Sequence, residues 1–218
     1  MSIRVLLVDD HAIVSEGIRQ ILADTEDIVV AGICARGGEA VALTRKTPCE
    51  VVVLDISMPD RSGIEVLKQL RKEFPKVAVL MLSMHSEDQY AMRSMRAGAA
   101  GYLNKQSVSA ELVDAIRMVA SGRKYITPAL AEVLAAHVGE DPDVLPHQTL
   151  SDREFQTLRM IASGKTVSDV AAELKLSVKT VSEYRTRLLE KMKLRNNAEL
   201  TFYVMSNRLV DLNPVMAA

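Results

Sequence analysis

Val5-Leu6-Leu7-Val8-Asp9-Asp10 and Val51-Val52-Val53-Leu54-Asp55 are two apolar runs that each end in acid. Continuous β-branched and aliphatic runs of this length read as strands buried on both faces of a parallel sheet. Ligands gather at the carboxyl ends of the strands in such a sheet. Asp9, Asp10 and Asp55 are therefore aimed at one point. Three carboxylates so close repel one another unless a cation lies among them. An all-oxygen set suits Mg²⁺, which keeps several waters and leaves room for a phosphate. The two runs thus predict a Mg²⁺-assisted phosphoryl-transfer site.

Two further strand ends complete it. Val77-Ala78-Val79-Leu80-Met81-Leu82 ends at Ser83, and Gly101-Tyr102-Leu103 is followed by Asn104-Lys105. Lys offers a point charge to a phosphoryl oxygen and Ser one hydrogen bond. No other side chain looks like a separate nucleophile, so the phosphate acceptor is predicted to be a carboxylate, forming an acyl phosphate. Strand patterns at 3–8, 28–33, 51–54, 77–82 and 101–103 alternate with helical patterns at 11–23, 37–47, 62–73, 86–97 and 108–121. That order predicts a doubly wound α/β fold. Gly98 and Gly122 stand where left-handed helix caps are expected.

From residue 122 the pattern changes. Thr127-Pro128 opens a short amphipathic helix reaching His137-Val138, and Gly139 to Asp143 reads as a flexible acidic linker. Ser151-Asp152-Arg153-Glu154 is a capping box ahead of a helix that buries Phe155, Leu158 and Ile161-Ala162 and ends at Gly164. A second helix near 168–174 and a third near 178–192, capped by Ser177, are joined by Lys175-Leu176-Ser177. Two helices joined this way read as a helix-turn-helix. On the third, Val178, Val181, Leu188, Leu189 and Met192 form the apolar face. Lys179, Ser182, Glu183, Thr186 and Glu190 form the opposite one, able to reach base edges in a major groove. Lys175, Arg185, Arg187, Lys191, Lys193 and Arg195 flank that face and can reach phosphates.

Composition agrees with two cored domains: 218 residues, 48% hydrophobic, net charge −1. The charge is uneven, with eleven basic and eight acidic side chains after residue 147, a mild pointer to an anionic partner there. Cys34 and Cys49 lack metal-ligand or disulfide spacing. The N-terminus runs directly into a strand and no apolar stretch approaches the ~18 residues of a membrane span, so a cytoplasmic protein is expected.

Residues 3–121 resemble the receiver domain of bacterial two-component response regulators. The resemblance implies a flavodoxin-like, five-stranded parallel sheet. It makes Asp55 the phosphoacceptor, Asp9 and Asp10 the acidic metal pair, and the Ser57 backbone carbonyl the third protein ligand of Mg²⁺. Ser83 would be the switch hydroxyl, Tyr102 the switch aromatic and Lys105 the phosphate-binding lysine. Met58-Pro59 and Gly63 match the loop after the phosphoacceptor. Gln106 departs from the Pro that often follows the lysine, and Met84 is bulky where a small residue is common. Leu150 to Glu154, Gly164, Val170-Ala171, Ser177 to Val181 and Arg195 to Leu200 resemble the LuxR-type helix-turn-helix of NarL/FixJ response regulators, a four-helix domain. The implied base-reading positions are Ser182, Glu183 and Thr186, within a DNA-contacting set of Lys179, Thr180, Ser182, Glu183, Arg185, Thr186, Arg187, Lys191 and Lys193. The expected domains are 1–122, a linker at 123–147, and 148–212. The expected partners are a sensor histidine kinase, double-stranded promoter DNA, and a second copy of the chain when phosphorylated or DNA-bound, with no membrane.

Other readings compete. Asp10 could merely cap the helix that follows, and His11 reads as a surface residue of its first turn. His85 could tune hydrolysis or simply face solvent. A Mg²⁺-dependent phosphatase or phosphotransferase needs a second acid–base residue. Ser57 stands two positions after Asp55, and nothing like a substrate cap is inserted, so an enzyme is not expected. The third alternative is a phosphorylation-independent regulator whose N-terminal domain is an interaction module, which would need neither carboxylates, hydroxyl nor lysine.

Overall fold

The computed structural model describes residues 2–84, 89–136, 145–207 and 209. His85 and the acidic stretch 139–143 lie outside them. The chain divides into two compact units, Met1–Gly139 and Glu140–Ala218.

In the first unit, β1 (Ile3–Val8), β2 (Ile28–Cys34), β3 (Val51–Asp55), β4 (Ala78–Ser83) and β5 (Gly101–Asn104) form one sheet in the order β2-β1-β3-β4-β5. Every pairing is parallel. Strand order reverses between β1 and β3, where a doubly wound sheet opens a crevice. The helices are α1 (Ala12–Ala23), α2 (Gly37–Lys46), α3 (Gly63–Glu73), α4 (Gln89–Arg96), α5 (Val108–Ala120) and α6 (Pro128–Ala136). Successive strand residues point to opposite faces. Val5, Leu7, Val51, Val53, Leu80, Leu82 and Leu103 accordingly meet Ile18 and Leu22 of α1 and Leu112, Ala115, Ile116 and Val119 of α5 in one core. Both faces of β3 are covered, and all five of its residues are buried. Gly98 and Gly122 adopt φ of +96° and +84° at the helix ends, as their positions predict.

The loop after β3 is drawn tightly back onto the strand. The Gly63 N–H donates to the Ile56 carbonyl at 2.9 Å. A Cβ at Gly63 would lie 2.1 Å from the Asp55 carbonyl oxygen. Asp60 in the same loop accepts the N–H groups of Gly37 (3.0 Å) and Gly38 (2.8 Å), capping α2 from a distance of 22 to 23 residues. Burial raises the Asp60 carboxyl, but those two donors, with the backbone N–H groups of Asp60 and Arg61, outweigh it and the group is held low. Beyond α5 the chain does not leave the sheet at once: Tyr125 forms a parallel bridge to Gly101 and its hydroxyl donates to Glu111 at 2.7 Å. Cys34 and Cys49 are free.

The second unit holds a 3₁₀ turn (Pro146–Thr149), α7 (Asp152–Ala162), α8 (Val167–Glu173), α9 (Val178–Met192) and α10 (Asn197–Ser206). The capping box at Ser151 and Glu154 is formed, and a second one at Thr166 and Asp169 starts α8. Among the described residues, no helix is long and apolar enough to cross a membrane.

Replacing Gly63 with Ala is expected to destabilise the N-terminal unit by about 3 kcal/mol, because the new methyl group meets backbone that cannot yield. The urea midpoint of the variant, at unchanged slope, measures this.

Candidate functional site

Asp9 follows β1 directly and Asp55 is the last residue of β3, so the two flank the point where strand order reverses. They are 3% and 1% exposed. Lys105, just beyond β5, reaches both: its Nζ is 2.7 Å from Asp9 Oδ2 and 3.1 Å from Asp55 Oδ2. The Lys105 N–H donates to the Ser83 carbonyl at 2.7 Å, which pins the lysine backbone to the end of β4. Burial pushes the Asp55 carboxyl up, Lys105 works against that push, and the neighbouring Asp9 charge adds to it.

Asp10 completes the acidic group, and the structure adds a member that the sequence reading placed merely on the surface. His11 Nδ1 lies 3.1 Å from Asp9 Oδ1, 3.0 Å from Asp10 Oδ1 and 3.9 Å from Asp55 Oδ2, although its side chain is 57% exposed. The helix turn folds the ring back over the carboxylates. One donor atom from each of Asp9, Asp10, His11 and Asp55 falls within 4.8 Å of the others. Three carboxylate oxygens in that space fit Mg²⁺ by donor chemistry. The only sequence signal for His11 was its place immediately after the acid pair.

Ser83 and Tyr102 are fully buried. Ser83 pairs with Asn104 in the β4–β5 register, and Tyr102 pairs with Met81. Ser57 is half-buried in the loop that Gly63 closes. Met84 is 58% exposed beside the site. The sheet thus brings Asp9, Asp10, Asp55, Ser83 and Lys105 to one end.

In the second unit, α9 presents Lys179, Ser182, Glu183, Thr186, Arg187, Glu190, Lys191 and Lys193 to solvent. Val181, Leu188, Leu189 and Met192 are buried as predicted, but Val178 is 51% exposed. It occupies the first helical position, past the edge of the core. Thr180 serves the helix start, where its N–H donates to Ser177 Oγ at 3.0 Å. Two of the predicted DNA-contacting cations are engaged inside the domain. Arg185 Nε donates to Asn197 Oδ1 at 2.8 Å. Lys191 Nζ donates to Glu154 Oε2 at 2.6 Å, and Glu154 is only 3% exposed. Burial raises the Glu154 carboxyl, but Lys191 and the Ser151 groups outweigh it and hold the group low. Arg187 pairs with Glu183 at 3.6 Å along the helix. Lys193 ends α9 in the left-handed region at φ +55°, and Lys175 in the turn before α9 has φ +52°.

Known proteins share both halves of this arrangement. Residues 5–117 match the response regulator receiver domain family. Residues 148–204 match the luxR family of bacterial regulatory proteins. The response regulator UvrY of Escherichia coli strain K12 is 38% identical over 208 residues, covering 95% of each chain. The chain belongs to the NarL/FixJ family of response regulators. GacA of Pseudomonas aeruginosa is a second relative, 37% identical over 210 residues and covering 96% of this chain and 98% of its own. A solved structure of two RcsB dimers bound to two parallel DNAs matches this response regulator with 25% identity and a TM-score of 0.60, covering 94% of this chain and 99% of that one.

Two outcomes follow for this response regulator. Asp55 is an acid whose folded pKa lies above its ordinary value, so its ionisation opposes folding. That penalty is present above the folded pKa and is relieved as pH falls through it towards the ordinary carboxylate range. Asp55→Asn, which leaves Lys105 paired with Asp9, should therefore stabilise the metal-free protein at neutral pH by about 1–2 kcal/mol. The two proteins should converge on acidification, as urea titrations at a series of pH values will record. Lys191→Met should strand the buried Glu154 charge. It should lower the stability of the C-terminal unit by about 1–3 kcal/mol, read by thermal unfolding in the absence of DNA.

Proposed function

We propose that Asp55 accepts a phosphoryl group from the phosphohistidine of a sensor kinase, and that this event controls binding of the C-terminal unit to promoter DNA. In the transfer, an Asp55 carboxylate oxygen forms the new P–O bond as the P–N bond to the kinase histidine breaks. The observation that carries the reading is the buried Asp9–Lys105–Asp55 group at the sheet's topological switch point, joined in one chain to a luxR-family domain. Asp9, Asp10, Asp55 and the Ser57 carbonyl would hold Mg²⁺. When bound, the ion would offset charge on the transferred phosphoryl oxygens.

This chain's own groups do the rest. Phosphorylation of Asp55 adds negative charge where Lys105 already sits, and Lys105 then shares its protons between Asp9 and the phosphoryl oxygens. Ser83, at the end of the adjacent strand, donates its hydroxyl proton to the same oxygens. Tyr102, one strand further, lies fully buried two residues from the Ser83 partner Asn104, so a shift of the β4 end is felt in its packing. A local charge change thereby biases a packed two-state element. We assign 1–122 to the receiver, 123–147 to the linker and 148–212 to the DNA-binding domain.

On α9, Ser182, Glu183 and Thr186 are the base-reading positions. Lys179, Arg187 and Lys193 are the exposed cations for phosphates, and Thr180, Arg185 and Lys191 position the helix while lying beside the backbone. The RcsB complex is a structure of dimers on DNA, which supports a dimer of this chain on a pseudo-palindromic site. The alternative, a phosphorylation-independent regulator, leaves the buried Lys105 pairs without a purpose beyond charge balance.

A gel shift on genomic fragments, with and without Mg²⁺ and beryllofluoride, tests the reading. Wild type should bind specific fragments more tightly with beryllofluoride, and Asp55→Asn should show no such gain. Within that assay Thr186→Ala should relax base preference, whereas Lys193→Ala should weaken specific and random DNA alike. Identical binding in every lane would exclude gating through Asp55.

A further inference from the structure

The strands that end at Asp55 and Ser83 begin, at the other end of the sheet, beside a cavity of about 420 Å³. Its lining carries Arg71, Lys76, Arg123 and Lys124, with Glu50 as its one acid and Cys49 as a neighbour. A volume of this size is in the range of small-molecule sites. Burial, with Glu50 adding, pushes the Cys49 thiol up to about 11, so it stays neutral and contributes no negative charge.

What the four cations touch is informative. Arg71 Nη1 donates to the carbonyls of Pro75 at 2.8 Å and Val77 at 3.1 Å. Lys124 Nζ donates to the Ala99 carbonyl. Arg123 Nε donates to Ser121 Oγ at 3.1 Å. The bland reading is that Arg71 and Lys124 serve loop carbonyls, those of Pro75 and Val77 after α3 and of Ala99 after α4. That reading explains their positions but not their charge balance. Carbonyls are neutral acceptors, and among the described residues no ion pair engages Arg71, Lys76, Arg123 or Lys124. Glu50 does not fill the role: among the described residues no ion pair joins it to any of the four, and its Oε2 accepts the Arg4 N–H at 2.7 Å. Burial first, and then the nearby Arg71 charge, push the Lys124 ammonium down.

We propose that this cavity is a binding site for a small phosphate-bearing polyanion, held by the unspent guanidinium protons of Arg71 and the ammonium groups of Lys124 and Lys76. Arg71 supplies a planar fork suited to two phosphate oxygens, and the lysines supply point charges. The ligand would tie the end of α3 to the segment at Lys124, whose neighbour Tyr125 bridges to Gly101 in β5, one residue from Tyr102. The site is therefore separate from the Asp55 chemistry yet placed to bias the same strand.

Pyrophosphate is the probe, titrated into the full-length protein in EDTA at fixed ionic strength. The readouts are calorimetry and backbone amide shifts. One binding event is expected, with the largest shifts at Arg71, Gly98, Ala100 and Lys124. Arg71→Gln and Lys124→Met should each weaken it about tenfold or more, as loss of a charged hydrogen-bond donor does. Because those two also hold backbone carbonyls, Lys76→Gln/Arg123→Gln is made in parallel. It removes two exposed charges without touching a packed carbonyl, and it should weaken binding several-fold in a fully folded protein. Shifts confined to Asp9, Asp55 and Lys105 or to α8 and α9 would overturn the proposal. So would affinity that follows ionic strength and ignores all three variants, which would mean an adventitious ion only.

Discussion

The Lys105 ammonium, buried between two carboxylates, is the interaction on which the N-terminal unit turns. Asp9 and Asp55 are almost wholly withdrawn from water, and two such charges side by side would drive the strand ends apart. A single cation reaching both makes their burial tolerable. Removing that cation would leave two uncompensated buried carboxylates, which costs far more than the intact group contributes. The three strands β1, β3 and β5 are thus tied at their carboxyl ends by charge as well as by the core and the strand ladder. Any new charge at that point, whether a divalent ion or a phosphoryl group, must redistribute the same ammonium protons. Sensitivity to added charge is built into the way the sheet is held together.

The C-terminal unit follows a related rule. Glu154 closes the capping box of α7 and also receives Lys191 from α9. One carboxylate therefore fixes both the start of the first helix and the roll of the helix that would face DNA. Arg185 does the same at the other side through Asn197 at the start of α10. Charges that look from sequence like a phosphate-binding fringe divide into two sets. One set orients α9, and the other, including Lys179 and Lys193, stays exposed to solvent.

Much of this was legible in the chain. Apolar runs ending in Asp, Ser or Lys located the strands and the site together, because a buried parallel strand cannot carry polar residues except at its ends. Helix limits were legible where caps were explicit, as at Ser151, Ser177, Gly98 and Gly122. What escaped was long-range geometry. Nothing in His11-Ala12-Ile13 says that the imidazole turns back over the acids. Nothing in Asp60 says that its partners are the N–H groups of Gly37 and Gly38. The domain assignment of Lys191 needed the fold, since a lysine on a polar helix face looks the same whether it meets water, DNA or a buried glutamate. Val178 was misplaced because helical periodicity continues past the point where the core ends.

The Tyr125–Gly101 bridge has a consequence for how the chain ends its sheet. An outermost parallel strand ordinarily displays bare peptide groups, which invite another strand to pair. Here the chain covers the first residues of β5 with its own returning backbone, and the Tyr125 N–H donates to the Ala100 carbonyl at 2.9 Å. Gly101 permits this, since a Cβ there would stand 2.8 Å from that of Tyr125. The segment that leads away from the receiver is also the cover over its open margin. A pull on that segment is a pull on the edge of the sheet itself.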